Sequence, residues 1–315
     1  MLYTITGGAG FIGSNIAEEI IRRGGRVRVL DNFSTGKREN LSFPGSGKVE
    51  VLAGDVRNLA DCRMAAEGAD YVLHHAALVS VARSVADPIL NHDINVTGTL
   101  NMLVASRDAG VKRFVFASSA SVYGNRNSES AQSESARPAP LSPYGASKWT
   151  GEVNCALFLN LYGLETIALR YFNVYGIRQD PHSEYAAVIP KFIQSILAGQ
   201  RPTVYGDGLQ SRDFICVSDV VNANLRACAA DVKAAGRVFN IACNRCYSLL
   251  DLLGEISAIT GRDGNPLFAD PQPGDIRFSM ADISLAREFL GFTPETSFRA
   301  GLAQTVEWYR EKIEA

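Results

Sequence analysis

Residues 6–13 read TGGAGFIG, and no other stretch constrains the chain as tightly. Glycines stand at 7, 10 and 13, with one more at 8. A short β-rich run, Leu2–Thr6, precedes the turn, and helical periodicity over Ile12–Arg23 follows it. That context matters, because a glycine pattern outside a strand-to-helix turn says little. Within it, the glycines permit a tight turn and let a pyrophosphate approach the backbone at the positive end of a helix.

The pattern continues downstream. Arg26–Leu30, Val49–Leu52, Tyr71–His74 and Phe114–Ala117 are short apolar runs, separated by helix-like stretches such as Ile94–Arg107. Strands alternating with helices predict an α/β fold, a Rossmann-type doubly wound parallel sheet with helices on both faces. The polar stretch Asn125–Pro143 reads as a surface loop. After Gly176 the alternation weakens. Helices are expected at Ile189–Leu197, Leu249–Thr260, Ile283–Leu290 and Phe298–Lys312, a strand feeding a helix over Ser211–Leu225, and a strand at Val238–Ile241. The expected organisation is a dinucleotide-binding domain over residues 1–172, with 213–241 returning to it. A smaller mixed α/β substrate-binding cap is expected from 173–212 and 242–315.

Two acidic residues end strands where a dinucleotide would lie. Asp31, about twenty residues past the glycine turn, can accept hydrogen bonds from a ribose 2′-hydroxyl and would repel a 2′-phosphate, which favours NAD over NADP. Lys37 and Arg38 lie nearby and weigh against that preference. Asp55 ends the third strand, placed with Val56 to meet the adenine edge. Ser118 and Ser119 end the strand of FVFASSASVYG. In a doubly wound sheet, ligands sit beyond such carboxyl ends. Tyr144 follows in SPYGASK, with Lys148 one helical turn later on the same face. A free phenol titrates near pH ~10. A nearby ammonium and a nicotinamide cation both favour phenolate and move it toward neutrality. Tyr144 is thus a candidate base, with Ser119 sharing the proton path.

The glycine turn, Asp31, the Ser119–Tyr144–Lys148 set and RYFNVYG together resemble the extended short-chain dehydrogenase/reductase family, and within it the NAD-dependent UDP-hexose 4-epimerases, over essentially the full length. The resemblance implies a permanently bound NAD. It also implies Tyr144 as the base at the sugar 4-hydroxyl, Lys148 as the holder of the nicotinamide ribose, and a 4-ketose that turns over before hydride returns. It implies a cofactor pocket formed by Gly7, Gly10, Phe11 and Ile12, then Asp31, Asn32, Ser34, Thr35 and Gly36, then Asp55 and Val56. His75, Ala76, Ala77, Asn95, Ser118 and Phe172 complete it, beside Tyr144 and Lys148. For the UDP-sugar, the resemblance implies Ser119, Tyr144 and Asn173, Ala187 and Val188, Val204 and Tyr205 at the uracil, Arg212 at the diphosphate and Asp275 at a ribose. Ser279 falls at the sugar 2-position. A small residue there leaves room for an acetamido group, so UDP-GlcNAc and UDP-GalNAc are the expected substrates, with UDP-Glc and UDP-Gal as the alternative. Many relatives have an arginine where this chain has Gln272; either Arg277 or another cation compensates, or the diphosphate is held less tightly. Relatives also imply a homodimer through the helices near 95–108 and 145–160.

Other classes fit less well. Dehydratases of the family carry an Asp-Glu pair where this chain has Ala120 and Ser121, and decarboxylating relatives also need a carboxylate there. A non-catalytic binding protein would not keep both Tyr144 and Lys148. A net charge of −2 gives no nucleic-acid footprint. No apolar run approaches the ~20 residues of a membrane span, and no secretory leader is expected. The one CxxC, Cys243 to Cys246, lacks the second ligand pair of a structural zinc site, so no metal is expected. Scattered thiols fit a cytoplasmic protein.

Overall fold

The computed structural model describes residues 1–125, 130–181, 187–271 and 277–314. The first half runs β1 (Leu2–Thr6), α1 (Phe11–Arg22), β2 (Arg26–Asp31), β3 (Val49–Ala53), α2 (Leu59–Ala66) and β4 (Tyr71–His74). It continues through α3 (Val81–Ala86), α4 (Pro88–His92), α5 (Gly98–Asp108), β5 (Arg113–Ser119), α6 (Pro143–Tyr162) and β6 (Glu165–Tyr171). A widened helical turn over Asp93–Thr97 joins α4 to α5. The second half holds β7 (Asn173–Tyr175), α7 (Val188–Leu197), β8 (Thr203–Tyr205), β9 (Ser211–Arg212), β10 (Phe214–Cys216), α8 (Val217–Ala229) and β11 (Val238–Ile241). It ends with β12 (Tyr247–Ser248), α9 (Leu249–Thr260), β13 (Leu267–Ala269), β14 (Phe278–Ser279), α10 (Ser284–Leu290) and α11 (Phe298–Glu314).

The central sheet is parallel throughout, in the order β11-β6-β5-β4-β1-β2-β3. The order reverses between β1 and β4, the place where a doubly wound sheet opens a crevice at its carboxyl edge. One apolar layer packs α1 and α8 against the sheet, through Ile16, Ile20, Val29, Val115 and Leu225 among others. A second packs α2, α5 and α6 on the opposite face, through Cys62, Met102, Phe114 and Phe158. β6 escaped the sequence reading because ETIALRY mixes charges into its apolar run. Those charges are satisfied individually: Arg113 pairs with Glu165, and Arg170 with Glu152.

The cap has its own core of Ile193, Phe214, Leu252, Leu302 and Tyr309, built on α7, α9 and α11. Its strands are short: β8 with β13, and β9 between β12 and β14. Two segments cross the expected boundaries. β10 pairs with β7 outside the central sheet. Ala286 and Leu290 of α10 join the main core against the sheet rather than the cap.

Candidate active site

The glycine turn is built for close approach. Gly7 has φ +66°, and a Cβ there would lie 2.8 Å from the Ala76 nitrogen; one on Gly13 would lie 2.4 Å from the Gly7 carbonyl oxygen. Gly10 caps α1 with no side chain over its first amides, leaving them open to an anion. Asp31, buried at the end of β2, accepts from Ala9 N at 2.9 Å and Phe33 N at 2.8 Å. The two basic residues that weighed against NAD face elsewhere. Lys37 pairs with Asp180 at 3.1 Å, and the Arg38 guanidinium lies 4.2 Å over the Phe33 ring. Asp55 accepts from Arg57 and Asn32, and the guanidinium holds its carboxyl down at about 2. The chain thus presents what an adenine dinucleotide without a 2′-phosphate requires.

A cavity of about 1210 Å³ runs from this turn into the cap. Every cofactor candidate except Asn95 lines it, as do Asn173, Ala187, Val188, Tyr205 and Arg212. Asn95 and Val204 are corrections to the sequence reading. Asn95 is buried behind the wall, where its amide donates to the Leu78 carbonyl, Asn91 and Ser147 while its Oδ1 accepts from Leu78 N. It braces the cavity wall without facing the cavity. Val204 lies in the cap core because side chains alternate along β8: Thr203 and Tyr205 face the cavity and Val204 the interior. Asp275 and Gln272 lie outside the described residues. Ser279 lines a side cavity of about 180 Å³ that shares Ser119, Phe172, Asn173 and Arg212 with the main one.

The cavity also takes in Lys191 and Gln210, which the sequence reading passed over. Their spacing carried a signal. Lys191 stands one turn after Val188 on α7, and Gln210 two residues before Arg212. Arg277 is not among the residues lining the cavity and pairs with Asp207 at 2.7 Å.

At the carboxyl end of β5, Ser119, Tyr144 and Lys148 come together on the cavity. Ser142 caps α6 through Gly145 N at 3.1 Å, with Pro143 in its first turn, which seats Tyr144 at the start of the helix. The Ser119 hydroxyl donates to Ser121 Oγ at 3.1 Å and favours the ionised form of the Tyr144 phenol. Lys148 does not stand close to the phenol oxygen as its main contact. Its Nζ donates to the Ala117 carbonyl at 2.7 Å and lies 5.9 Å from the Tyr144 ring centre. Burial therefore wins at the tyrosine, and the phenol is raised above its ordinary value instead of lowered. Burial also lowers Lys148 to about 8, against an opposing pull from Glu152. The expected shift toward neutrality rested on a nicotinamide cation as well as the ammonium; in the chain alone desolvation outweighs the Ser119 hydroxyl. His75, on the opposite wall, is held neutral by burial, at about 4.

The six cysteines are all free; Cys243 and Cys246 are raised to about 12 and about 11 by burial. No group of three potential metal ligands occurs among the described residues. No helix among them is long and apolar enough to cross a membrane.

Residues 3–242 match the model of the NAD dependent epimerase/dehydratase family. A UDP-glucose 4-epimerase of Mycolicibacterium smegmatis is 39% identical over 311 residues, covering 98% of each chain. Among solved structures, a UDP-N-acetylglucosamine 4-epimerase from Methanobrevibacter ruminantium, in complex with UDP-N-acetylmuramic acid, superposes with TM-score 0.93 at 40% identity, covering 98% of each chain. A UDP-glucose 4-epimerase of Thermus thermophilus in complex with NAD superposes with TM-score 0.88 at 35% identity, over 98% of this chain and 99% of that one.

Proposed function

This chain belongs to the NAD-dependent epimerase/dehydratase family, and on that premise we propose that it inverts C4 of a UDP-sugar through a 4-keto intermediate. The observation that carries this reading is the convergence of Ser119, Tyr144 and Lys148 on the same cavity as the glycine turn and Asp31. When bound, NAD supplies the acceptor and later the donor of a hydride. The chain's own residues handle the proton. Tyr144 takes it from the sugar 4-hydroxyl and returns it after the ketose has presented its other face, with Ser119 bridging phenol and sugar oxygen. The raised phenol means that Tyr144 needs further positive charge before it acts as a base. On the chain's side Lys148 carries that charge, and a bound nicotinamide cation would add to it.

The cap serves the nucleotide. Arg212 grips the diphosphate, a task its planar guanidinium suits. Lys191 supplies the second cation that Gln272 cannot. It lines the same cavity, whereas Arg277 is committed to Asp207 on the surface. Tyr205 and Thr203 wall the uracil end.

Within this class we assign the N-acetylated pair, UDP-GlcNAc and UDP-GalNAc, as preferred substrates. One structural relative carries that name and the mycobacterial relative carries the plain one; the pocket is what supports the N-acetyl reading. Ser279 is small and lines the side cavity next to Ser119, which leaves volume for an acetamido group in either orientation of the ketose. A tyrosine there would fill that volume. The test is kcat/KM on UDP-Glc, UDP-Gal, UDP-GlcNAc and UDP-GalNAc for the parent and Ser279→Tyr. The assignment requires N-acetyl turnover in the parent and its selective loss in the variant. Turnover of UDP-Glc alone would replace it with the plain hexose reading.

The working unit is a homodimer. Trp149, Val153, Leu157 and Leu161 recur every four residues along α6 and are 41–67% exposed, and Leu100 of α5 is exposed as well. A continuous apolar stripe of this kind fits burial against a second copy.

A further inference from the structure

The chemistry above leaves one buried polar chain without a role. Glu152 lies one turn past Lys148 and two past Tyr144 on α6. Its carboxylate accepts from Ser118 Oγ and takes two bonds from Arg170, at 2.8 and 2.7 Å. Arg170 is the register partner of Ser118 across β5 and β6, and its guanidinium lies 4.6 Å over the Tyr123 ring. Tyr123 donates in turn to Asn240 Oδ1 at 2.7 Å. Both members of the ion pair are buried, with side chains 4% and 5% exposed.

A pair this deep is a poor device for stability alone. Desolvating two ions consumes most of what their attraction returns, and apolar replacements of similar volume often serve as well. Its location suggests another use. β5 carries Ser119, while α6 carries Tyr144. Apolar packing of α6 on β5 sets their spacing, and directional contacts add a fixed register between the end of the strand and the helix. Two such contacts lie back to back: Lys148 on the Ala117 carbonyl, and Ser118 on Glu152.

We propose that Glu152 is a positioning residue for the reaction. With Arg170 it locks the carboxyl end of β5 to α6, keeping Ser119 against the Tyr144 phenol and Lys148 on the Ala117 carbonyl. The charged and titratable groups around Lys148 are few. Tyr144 and Glu152 share its helix, and Arg170 stands behind Glu152 on β6. His74 and His75 end the β4 side and are neutral through burial. Arg83 of α3 and Asp93 are exposed. Among the described residues Glu152 is therefore the one buried anion acting on the ammonium, and it favours the charged lysine.

The proposal rests on the epimerase reading, and its test separates the two. Four proteins are compared: the parent, Glu152→Gln, Arg170→Met and the double variant Glu152→Leu/Arg170→Met. The double variant removes both charges, so it is expected to fold, while kcat falls about tenfold or more and KM stays within about twofold. In the single variants the side-chain NMR titration of Lys148 moves in opposite directions: to lower pH when the anion is lost, to higher pH when its partner is lost. A merely structural pair would change thermal stability and, in every variant that folds, leave kcat in place. A folded double variant with parental kcat overturns the proposal. Should the double variant not fold, Glu152→Asp keeps the charge and shortens the reach. Parental kcat in that variant is equally fatal. A parent inactive on every UDP-sugar sinks the epimerase reading alone. In that event a Lys148 titration unmoved by Glu152→Gln still overturns the positioning role.

Discussion

Lys148 stands one helical turn past Tyr144, yet its ammonium is fixed on the Ala117 carbonyl, 2.7 Å away, and lies 5.9 Å from the phenol ring centre. That carbonyl contact ties the helix carrying Tyr144 to the strand that carries Ser119.

Tyr144→Phe should lower kcat by roughly 10²–10⁴-fold, the contribution of a positioned acid–base group. Substrate affinity should hold, since the ring and its packing remain. Steady-state rates together with binding titration check this, and near-parental turnover would place the base elsewhere.

Activity should depend on the charge of Lys148. Its ammonium is held at about 8, so the rate should fall as pH rises through that value. The stability sign runs the other way. A lysine lowered by burial favours the unfolded state while both forms are protonated, below about 8. That penalty fades as pH climbs toward the ~10.4 of a free lysine. Lys148→Met should therefore gain most on the parent in thermal melts below pH ~8, with the gap narrowing in alkali.

Purified protein should release NAD, and not NADP, on denaturation. Asp31→Ser should weaken NAD retention and admit NADP, because it removes the carboxylate that repels a 2′-phosphate. Enzymatic assay of the supernatant for each dinucleotide decides the point.

Lys191→Ala should raise KM for the UDP-sugar about tenfold with little change in kcat, as the loss of a uniform binding contact does. Arg277→Ala should change neither, because Arg277 pairs with Asp207 on the surface. The reverse result would move the second cation to Arg277.

Leu157→Arg, in the middle of the exposed stripe on α6, should give a monomer by light scattering. A parent that is itself monomeric at micromolar concentration would remove the dimer.

The sequence by itself determined the parallel sheet, the glycine turn and the identities of Asp31, Ser119, Tyr144 and Lys148. Each is encoded by local spacing: glycines where the backbone must turn left-handed or pass close, a carboxylate at a strand end, a tyrosine and a lysine one turn apart. β1, β4 and β11 were legible to the residue because their apolar runs are short and cleanly bounded. β6 was not, since its charges find their partners on β5 and α6, far away in sequence. Tertiary structure alone decided which way side chains face. Val204 and Tyr205 are neighbours in sequence, but strand alternation sends one into the cap core and the other to the cavity. Asn95 sits at a motif position, yet packing turns it into the wall. Most consequentially, only the fold shows that Tyr144 is buried deeply enough for desolvation to outweigh its neighbours, because burial depends on elements that close over the site from distant parts of the chain.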